Sequence, residues 1–392
     1  MKIKPFLSIP TLFLLIFAHG PAASQSVTSY PLWNEIESGE YSVGFKVINH
    51  WDKSRNRYSK YEKSGKLNEA RFFPIQISIW YPAAERWDPV KAMPFKTYFY
   101  LTEQKNDFNS LSEERKEKAL DIFFNFATLG AGLELTKENV LNIGNMATAA
   151  MQDVEAVNKK FSVIIAGHDG GVWKGTTLHE FLASHGYVVI STGPVSQTFS
   201  IFSEHPQVAI QRRIRTFELV REMTTQFDFI DDSKIGLLGL NSDGMPAMLY
   251  QMKNGEADAL VNIDGWEGKN NGYEYVSSNS YYDNEKFQIP YLEFQQHENT
   301  NRESLQLNST IFENLKSNSK QSYVLTEFGH AYLTGNLIAV PGLKNKEVEK
   351  YQFMFDAILA FYTHYLKGQE NLYTKSDKPD SFFERAKIIS EE

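Results

Sequence analysis

The chain of 392 residues contains no cysteine. This absence excludes disulfide bonds, a thiolate nucleophile, a cysteine-linked lipid anchor and any metal site built from cysteine. The chain also lacks an excess of positive charge. It has 40 Lys and Arg residues and 48 Asp and Glu residues, which gives a formal net charge of −8. A modest, dispersed acidic excess gives no electrostatic support for binding nucleic acid or a membrane surface.

Long apolar runs are missing after the first 24 residues, so no later segment has the roughly 20 apolar residues that a membrane-spanning helix needs. Within residues 1–24, Lys2 and Lys4 precede an apolar run, and Ala22, Ala23 and Ser24 offer small residues for cleavage. This pattern is typical of a secretory signal peptide. We therefore expect an exported protein, secreted or periplasmic, whose mature part is residues 25–392.

Alternating strand and helix patterns predict the fold class. Residues 41–49 and 71–82 are rich in β-formers and predict an N-terminal antiparallel hairpin. Residues 101–155 are mostly helical in pattern and predict an inserted cap. From the apolar run at 161–166 onwards, buried-strand patterns alternate with helices, which predicts one α/β domain with a doubly wound, mostly parallel sheet. Residues 368–392 have the composition of a polar tail.

Polar residues that could carry chemistry follow the ends of these predicted strands, where ligands bind in such sheets. They are His168, Asp169 and Gly170, then Asn241, Ser242 and Asp243, then Asp264, and finally His330. Ser242, Asp264 and His330 follow the chain order Ser, acid, His of one class of catalytic triads. In such a triad the serine attacks, the histidine takes its proton, and the acid holds the imidazole tautomer.

Several short motifs occur in a recognisable order: YSVGFKVIN at 41–49, IWYP at 79–82, GHDGG at 167–171, LASHGYVV at 182–189, NIDGW at 262–266 and GH at 329–330. Together they resemble the platelet-activating-factor acetylhydrolase and dienelactone hydrolase-like branch of the α/β hydrolases. The resemblance implies an α/β hydrolase fold and hydrolysis of a carboxylic ester without a cofactor. It also implies oxyanion-binding N–H groups at Asp169 and Gly170, the acid at Asp264 and the base at His330.

The nucleophile turn departs from the family pattern IGxxG(H/F)SxGG, and two registers stay open. In one, Asn241 occupies the nucleophile position and Asp243 replaces a small glycine, which predicts a catalytically silent binding protein. In the other, shifted by one residue, Ser242 is the nucleophile and Gly244 is the small residue that follows. N–H groups near Gly170 and Asp243 would then stabilise the oxyanion, provided that the Asp243 carboxylate points away from it.

Two further alternatives concern the acid and a metal. Glu298 follows a later strand and is the rival of Asp264 as the acid, although its polar surroundings are typical of a solvated loop. His179 and His185 are six residues apart rather than four, so the zinc motif HExxH is excluded and no metal is expected. The favoured prediction is an exported serine hydrolase acting on a small-molecule ester or a lipid- or glycan-derived substrate, and the alternative is the silent binding protein. The sequence does not indicate an oligomeric state.

Overall fold

The computed structural model describes residues 30–68, 71–193, 205–269, 271–296, 310–370 and 380–389. The predicted signal peptide at residues 1–24 and the rival acid Glu298 lie outside these residues. Across the ranges described, no helix combines the length and the apolar character that crossing a bilayer requires.

One mixed sheet of eleven strands runs through the described part of the chain. Its strands are β1 (Ser42–Asn56), β2 (Phe72–Ala83), β3 (Ala92–Pro94), β4 (Ala147–Gln152), β5 (Phe161–His168), β6 (Val188–Thr192), β7 (Ile230–Leu240), β8 (Ala259–Ile263), β9 (Tyr291–Gln295), β10 (Lys320–Leu325) and β11 (Phe383–Ile389). Their order across the sheet is β11, β10, β9, β8, β7, β5, β6, β2, β1, β4, β3.

Helices cover both faces of this sheet. They are α1 (Lys96–Gln104), α2 (Glu113–Asn125), α3 (Lys137–Asn145), α4 (Thr176–Ser184), α5 (Pro206–Thr224), α6 (Gly244–Asn254), α7 (Gly272–Ser277), α8 (Thr310–Asn314), α9 (His330–Thr334) and α10 (Asn345–Lys367). Successive residues of a strand point to opposite faces. In β5, Ile164 therefore joins the apolar cluster that contains α4 and α10, and Ile165 joins the cluster that contains α5 and α6.

The predicted hairpin and parallel sheet are confirmed. β1 and β2 pair antiparallel, with Ser42 opposite Ala83 and Asp52 opposite Phe73. From β6 to β10 the neighbouring strands pair in parallel. All eight residues of β5 are buried, as expected for an apolar run covered by helices on both faces.

The chain reverses its direction of travel across the sheet at β5, because β6 lies on one side of this strand and β7 on the other. In a doubly wound sheet such a reversal opens a crevice at the carboxyl ends of the two strands that diverge from it. The residues that follow β5 and β7 therefore share one crevice, as the positions of the candidate residues predict.

Two segments differ from the sequence-based expectation. The polar tail prediction for residues 368–392 is wrong in part, because β11 pairs antiparallel with β10. Its charged residues hid the pattern, and such residues are common on edge strands, where they discourage further pairing. Within residues 101–155, helices are followed by β4, which pairs with both β1 and β3 and so joins the sheet.

Candidate active site

A sharp turn joins β7 to α6 at the centre of the crevice. Asn241 stands at its apex with a φ of 53°, and Asn241, Ser242 and Asp243 form a single turn of 3-10 helix before Gly244 opens α6. Positive φ is unfavourable for most side chains, and asparagine tolerates it better than most. Asn241 therefore occupies the position of this turn whose φ is strained.

Glycine is needed two residues before the apex, because the strand end packs closely on the start of α6. A Cβ atom on Gly239 would lie 2.5 Å from Gly244 Cα and 2.6 Å from Asn262 Oδ1. In the sequence motif GxSxG of nucleophile turns, the first glycine also stands two residues before the apex. The spacing from Gly239 to Asn241 matches that motif.

The polar contacts of the turn do not extend to His330. Asn241 Nδ2 donates a hydrogen bond of 2.7 Å to Asp169 Oδ2, whereas the buried Asn241 Oδ1 has no hydrogen-bond partner in the described ranges. Ser242 is buried as the second residue of the turn. Among the described residues, no hydrogen bond joins its hydroxyl to His330.

Asp264 and His330 are brought together from strand ends 66 residues apart in the chain. Asp264 follows β8 with a φ of 52° and is fully buried, and its Oδ2 hydrogen bonds to Nδ1 of His330 at the start of α9. A carboxylate at Nδ1 orients the imidazole and selects the tautomer that leaves Nε2 unprotonated in the neutral ring. This pair has the arrangement of a general base and its acid.

Lys269 completes the surroundings of Asp264. Its ammonium lies 2.6 Å from Asp264 Oδ1 and donates a 3.0 Å hydrogen bond to the Asp264 backbone oxygen. Burial alone would raise the pKa of Asp264, but the charge of Lys269 and the hydrogen bond to His330 hold this pKa well below its usual range. Asp264 is therefore ionised across the physiological range.

The loop after β5 lies beside the turn. Asp169 accepts the bond from Asn241, and Gly170 follows it with a φ of 80°. Lys105, directly after α1, donates to the Gly170 backbone oxygen, and burial lowers the pKa of this lysine to about 8. Lys174 Nζ lies 3.9 Å from Asp169 Oδ2. The inserted helices thus reach the loop where oxyanion-binding groups are expected.

Asp243 is held in a buried ion pair. Arg213 of α5 donates to both of its oxygens, at 2.8 and 3.0 Å. Burial raises the pKa of Asp243, although Arg213 acts in the opposite direction. A Cβ atom on Gly167 would lie 2.9 Å from Asp243 Cβ, so a glycine in β5 makes room for this side chain.

A turn of the insertion lies beside His330. Residues Phe126–Gly130 form one turn of π-helix, a conformation that is frequent at functional sites. The ring centre of Phe126 lies 6.5 Å from that of His330 and 5.4 Å from that of Trp173. The cap thereby places an aromatic side chain next to the imidazole.

Sequence reasoning missed Lys269, Lys174, Lys105 and Arg213. A signal existed for Arg213, because it lies on the buried stripe of α5, four residues after Ala209 and four before Phe217. A cation in such a stripe needs a buried partner. The three lysines stand in polar or mixed segments, where a lysine is usually solvated.

No model of a protein family matches the sequence, and no functionally curated protein matches it. Among solved structures, the chain is similar to a ferulic acid esterase from Streptomyces cinnamoneus, with a TM-score of 0.57 and 15% sequence identity. The similarity covers 89% of this chain and 96% of the esterase chain. The chain has an α/β hydrolase fold. Within this α/β hydrolase fold, Asn241 stands at the turn after β7, and the Asp264 and His330 pair follows β8 and β10.

Proposed function

We propose that the chain binds a carboxylic ester or a related acyl compound in this crevice without forming a covalent acyl intermediate. The observation that carries the proposal is Asn241 at positive φ between β7 and α6. In the α/β hydrolase fold, the attacking residue sits on that strained turn. The amide nitrogen of asparagine is not among the nucleophiles of acyl transfer, because its lone pair is delocalised into the carbonyl group.

The class of ligand is supported by the fold and by the residues that remain. The similar solved structure is named as an esterase. The motifs that resemble platelet-activating-factor acetylhydrolases and dienelactone hydrolases favour a small acyl group, carried by a lipid-derived or glycan-derived molecule. His330 has a partly exposed side chain and can hydrogen bond to such a ligand through Nε2.

Ester hydrolysis by Ser242 is a second candidate, favoured by the buried Asp264 bonded to His330. In that mechanism Ser242 Oγ attacks the ester carbonyl while His330 Nε2 takes its proton. The proton then passes to the leaving alcohol, and water releases the acyl group by the same route. N–H groups near Gly170 and Asp243 would hold the oxyanion, and Arg213 draws the Asp243 carboxylate away from it.

The two candidates are separated by installing a serine at the apex. We expect the mature protein to show no turnover of p-nitrophenyl acetate above background and no labelling by a fluorophosphonate probe. Asn241→Ser should gain labelling and about 10²-fold or more turnover over wild type, because His330 can then act as its base. Adding His330→Ala should abolish this gain.

Ser242→Ala in the wild-type background is the matched control. Under the binding proposal it changes neither labelling nor turnover. Turnover by the wild-type protein that disappears in both Ser242→Ala and His330→Ala overturns the proposal and makes the chain a serine esterase.

Export is a separate proposal that rests on residues 1–24. Cleavage of this segment and release from the cytoplasm are tested by N-terminal sequencing of the protein recovered from the cell envelope or medium. An intact N-terminus in the cytoplasmic fraction contradicts export.

A further inference from the structure

Positive charge is concentrated at one end of the hairpin formed by β1 and β2. Residues 51–71, the hairpin tip, contain seven Lys and Arg residues and three Asp and Glu residues. The other residues of the chain contain 33 Lys and Arg against 45 Asp and Glu, a net charge of −12. Charges are screened beyond about 8 Å at physiological ionic strength, so a partner responds to the local excess. The acidic balance of the whole chain therefore does not exclude an anionic partner at the hairpin tip.

The hairpin tip is a regular extension of the sheet. Beyond the last pair of β1 and β2, two backbone hydrogen bonds of 2.9 Å cross the hairpin, from the Asn68 N–H to the Lys60 oxygen and from the Glu62 N–H to the Lys66 oxygen. Gly65 lies in the turn with a φ of 80°. The backbone therefore holds the side chains of the hairpin tip on a defined structure.

The solvent-facing side chains of the hairpin tip carry the excess of positive charge. Four lysines of the tip are exposed: Lys53, Lys60, Lys63 and Lys66. None of the four makes an ion pair with another described residue. Asp52 is buried and pairs with the buried Arg55, so these two charges offset each other. The four lysines still outnumber the remaining acids, Glu62 and Glu69, of which Glu69 lies outside the described residues.

The neighbouring elements do not cancel this excess. The loop after α1 contacts the hairpin tip, because Arg57 donates a 3.0 Å hydrogen bond to the Asn106 backbone oxygen. The two acids on either side of Asn106 already form ion pairs of 3.3 Å: Asp107 with Arg115, and Glu103 with Lys118. From the other side, Arg215 of α5 donates a 3.4 Å hydrogen bond to Ser54 and adds a further cation.

Aromatic side chains accompany the cations of the hairpin tip. Across the described ranges, three large aromatic side chains are exposed, Trp51, Tyr58 and Tyr61, and all three belong to the tip. Arg57 lies over the ring of Tyr58 and Lys60 over the ring of Tyr61, at 5.0 and 5.5 Å from the ring centres. Amphipathic rings beside Lys and Arg are typical of segments that lie in the headgroup region of a bilayer, where the cations reach the lipid phosphates.

Two observations favour a lipid surface over an acidic glycan. A sugar stacks on the open face of an aromatic ring, but one face of Tyr58 and one face of Tyr61 are covered by cations of the tip itself. In addition, every residue from 58 to 67 is exposed. The hairpin tip therefore offers a projecting surface, which fits a planar bilayer, rather than the concave site that encloses a soluble ligand.

We propose that the hairpin tip docks the protein on a bilayer that contains anionic phospholipids. The exposed lysines contact the lipid phosphates, and Tyr58 and Tyr61 lie at the level of the headgroups. This is peripheral binding, in which no segment crosses the membrane. The inference goes beyond the proposed function and is independent of it, because no residue of the crevice takes part.

The test is co-sedimentation of the mature protein with two kinds of vesicle. One kind is phosphatidylcholine alone, and the other is an equimolar mixture of phosphatidylcholine and phosphatidylglycerol. We expect binding to the mixed vesicles only, and a loss of about tenfold or more in affinity when the salt is raised from about 10 mM to about 150 mM. Equal binding to both kinds of vesicle, or binding to neither, overturns the proposal.

Variants assign the binding to the hairpin tip. Lys60→Gln combined with Lys63→Gln should weaken binding to the mixed vesicles about tenfold or more, because each Lys near an anionic surface contributes to the attraction. Lys91→Gln combined with Lys346→Gln is the matched control. It removes the same charge from two lysines outside the tip that are each 54% exposed, and should change the affinity by less than about twofold.

Vesicle binding that persists in the Lys60 and Lys63 variant, or that both double variants lose equally, overturns the role of the hairpin tip. Tyr58→Ser combined with Tyr61→Ser should also weaken binding, and unchanged binding overturns the position of the rings. Immobilised polygalacturonate serves as a polyanion without lipid. Retention of the wild-type protein on it, without binding to vesicles, overturns the lipid partner in favour of an acidic glycan. All the substituted side chains are exposed, and thermal unfolding beside wild type verifies that each variant is folded.

Discussion

At the scale of single residues, the crevice depends on backbone geometry that side-chain chemistry alone does not reveal. Two registers of the nucleophile turn differ by one residue, and both are compatible with the sequence. The φ of 53° at Asn241 and the close packing at Gly239 are features of the folded backbone. They favour the register in which Asn241 stands at the apex, and the proposal of a silent site follows from that preference.

Gly239→Ala is expected to destabilise the fold. The added Cβ would lie 2.5 Å from the backbone of Gly244, which cannot yield as a flexible side chain would. Overpacking of this kind costs about 1–3 kcal/mol and more where backbone must move. Urea unfolding followed by circular dichroism measures the change. Gly255→Ala is a useful comparison, because its Cβ meets no neighbouring atom and only its left-handed φ is strained. A smaller loss for Gly239→Ala than for Gly255→Ala contradicts the packing argument.

At the scale of elements, a buried chain of hydrogen bonds holds α1, the helix that leads into the insertion, against the sheet and α4. Tyr98 of α1 accepts a 2.9 Å bond from Trp80 Nε1 of β2 and donates a 2.7 Å bond to Glu180 of α4. Glu180 also accepts a 3.1 Å bond from Trp33 Nε1, near the first described residue. The Glu180 carboxyl group thus links α1, and through Tyr98 the sheet, to the N-terminal segment.

Tyr98→Phe is expected to lower the free energy of unfolding by about 1–3 kcal/mol, because it leaves the buried Trp80 N–H without an acceptor. The indole and the phenol ring are otherwise unchanged, so packing is conserved. Tyr100→Phe, on the same helix but partly exposed, is the control and should change stability little. Thermal unfolding of the two variants beside wild type makes the comparison. Equal melting temperatures for all three would show that this chain of hydrogen bonds does not anchor α1.

At the scale of the whole molecule, buried titratable groups make the stability of the fold depend on pH, and carboxyl groups and imidazole act in opposite directions. Burial raises the pKa of Glu180 and of Glu267 to about 7, from ordinary values of 4.5. Burial lowers the pKa of His179 to about 3. Between about pH 4.5 and about pH 7, the two carboxyl groups keep protons in the folded protein that they release in the unfolded chain. Their contribution to the free energy of unfolding is therefore lost as pH rises through this range. The buried imidazole has the reverse effect, and its contribution grows as pH rises to about 6.5.

Glu180→Gln isolates one of these groups. The amide has no proton to lose, so the variant should become more stable relative to wild type as pH rises from about 4.5 to about 7, by about 3 kcal/mol in total. Urea unfolding at several pH values across this window measures the difference. Glu113→Gln, at a side chain that is 85% exposed, is the control and should give a difference that varies much less with pH than that of Glu180→Gln. A pH-independent difference for Glu180→Gln would mean that this carboxyl group titrates normally in the folded protein.

Local patterns in the sequence were sufficient to predict the main architecture. The period of two in the hairpin and the apolar runs of the central strands depend on residues close together in the chain, so their pattern alone indicates strands and their burial. The same reasoning placed Asp169, Asn241, Asp264 and His330 at strand ends. It failed for β11, whose charged residues made an edge strand resemble a polar tail.

Contacts between distant parts of the chain were decided only by the tertiary structure. Three contacts join residues from different elements: the bond between Asp264 and His330, the ion pair of Arg213 with Asp243, and the contact of the Lys174 ammonium with the Phe126 ring. Their strength depends on distance and burial, which no short sequence window contains. The backbone conformation at the apex of the turn also depends on the tertiary structure, because φ at Asn241 is set by how closely β7 and α6 pack. The sequence by itself therefore determined the layers and the strand ends, and folding determined which side chains meet there.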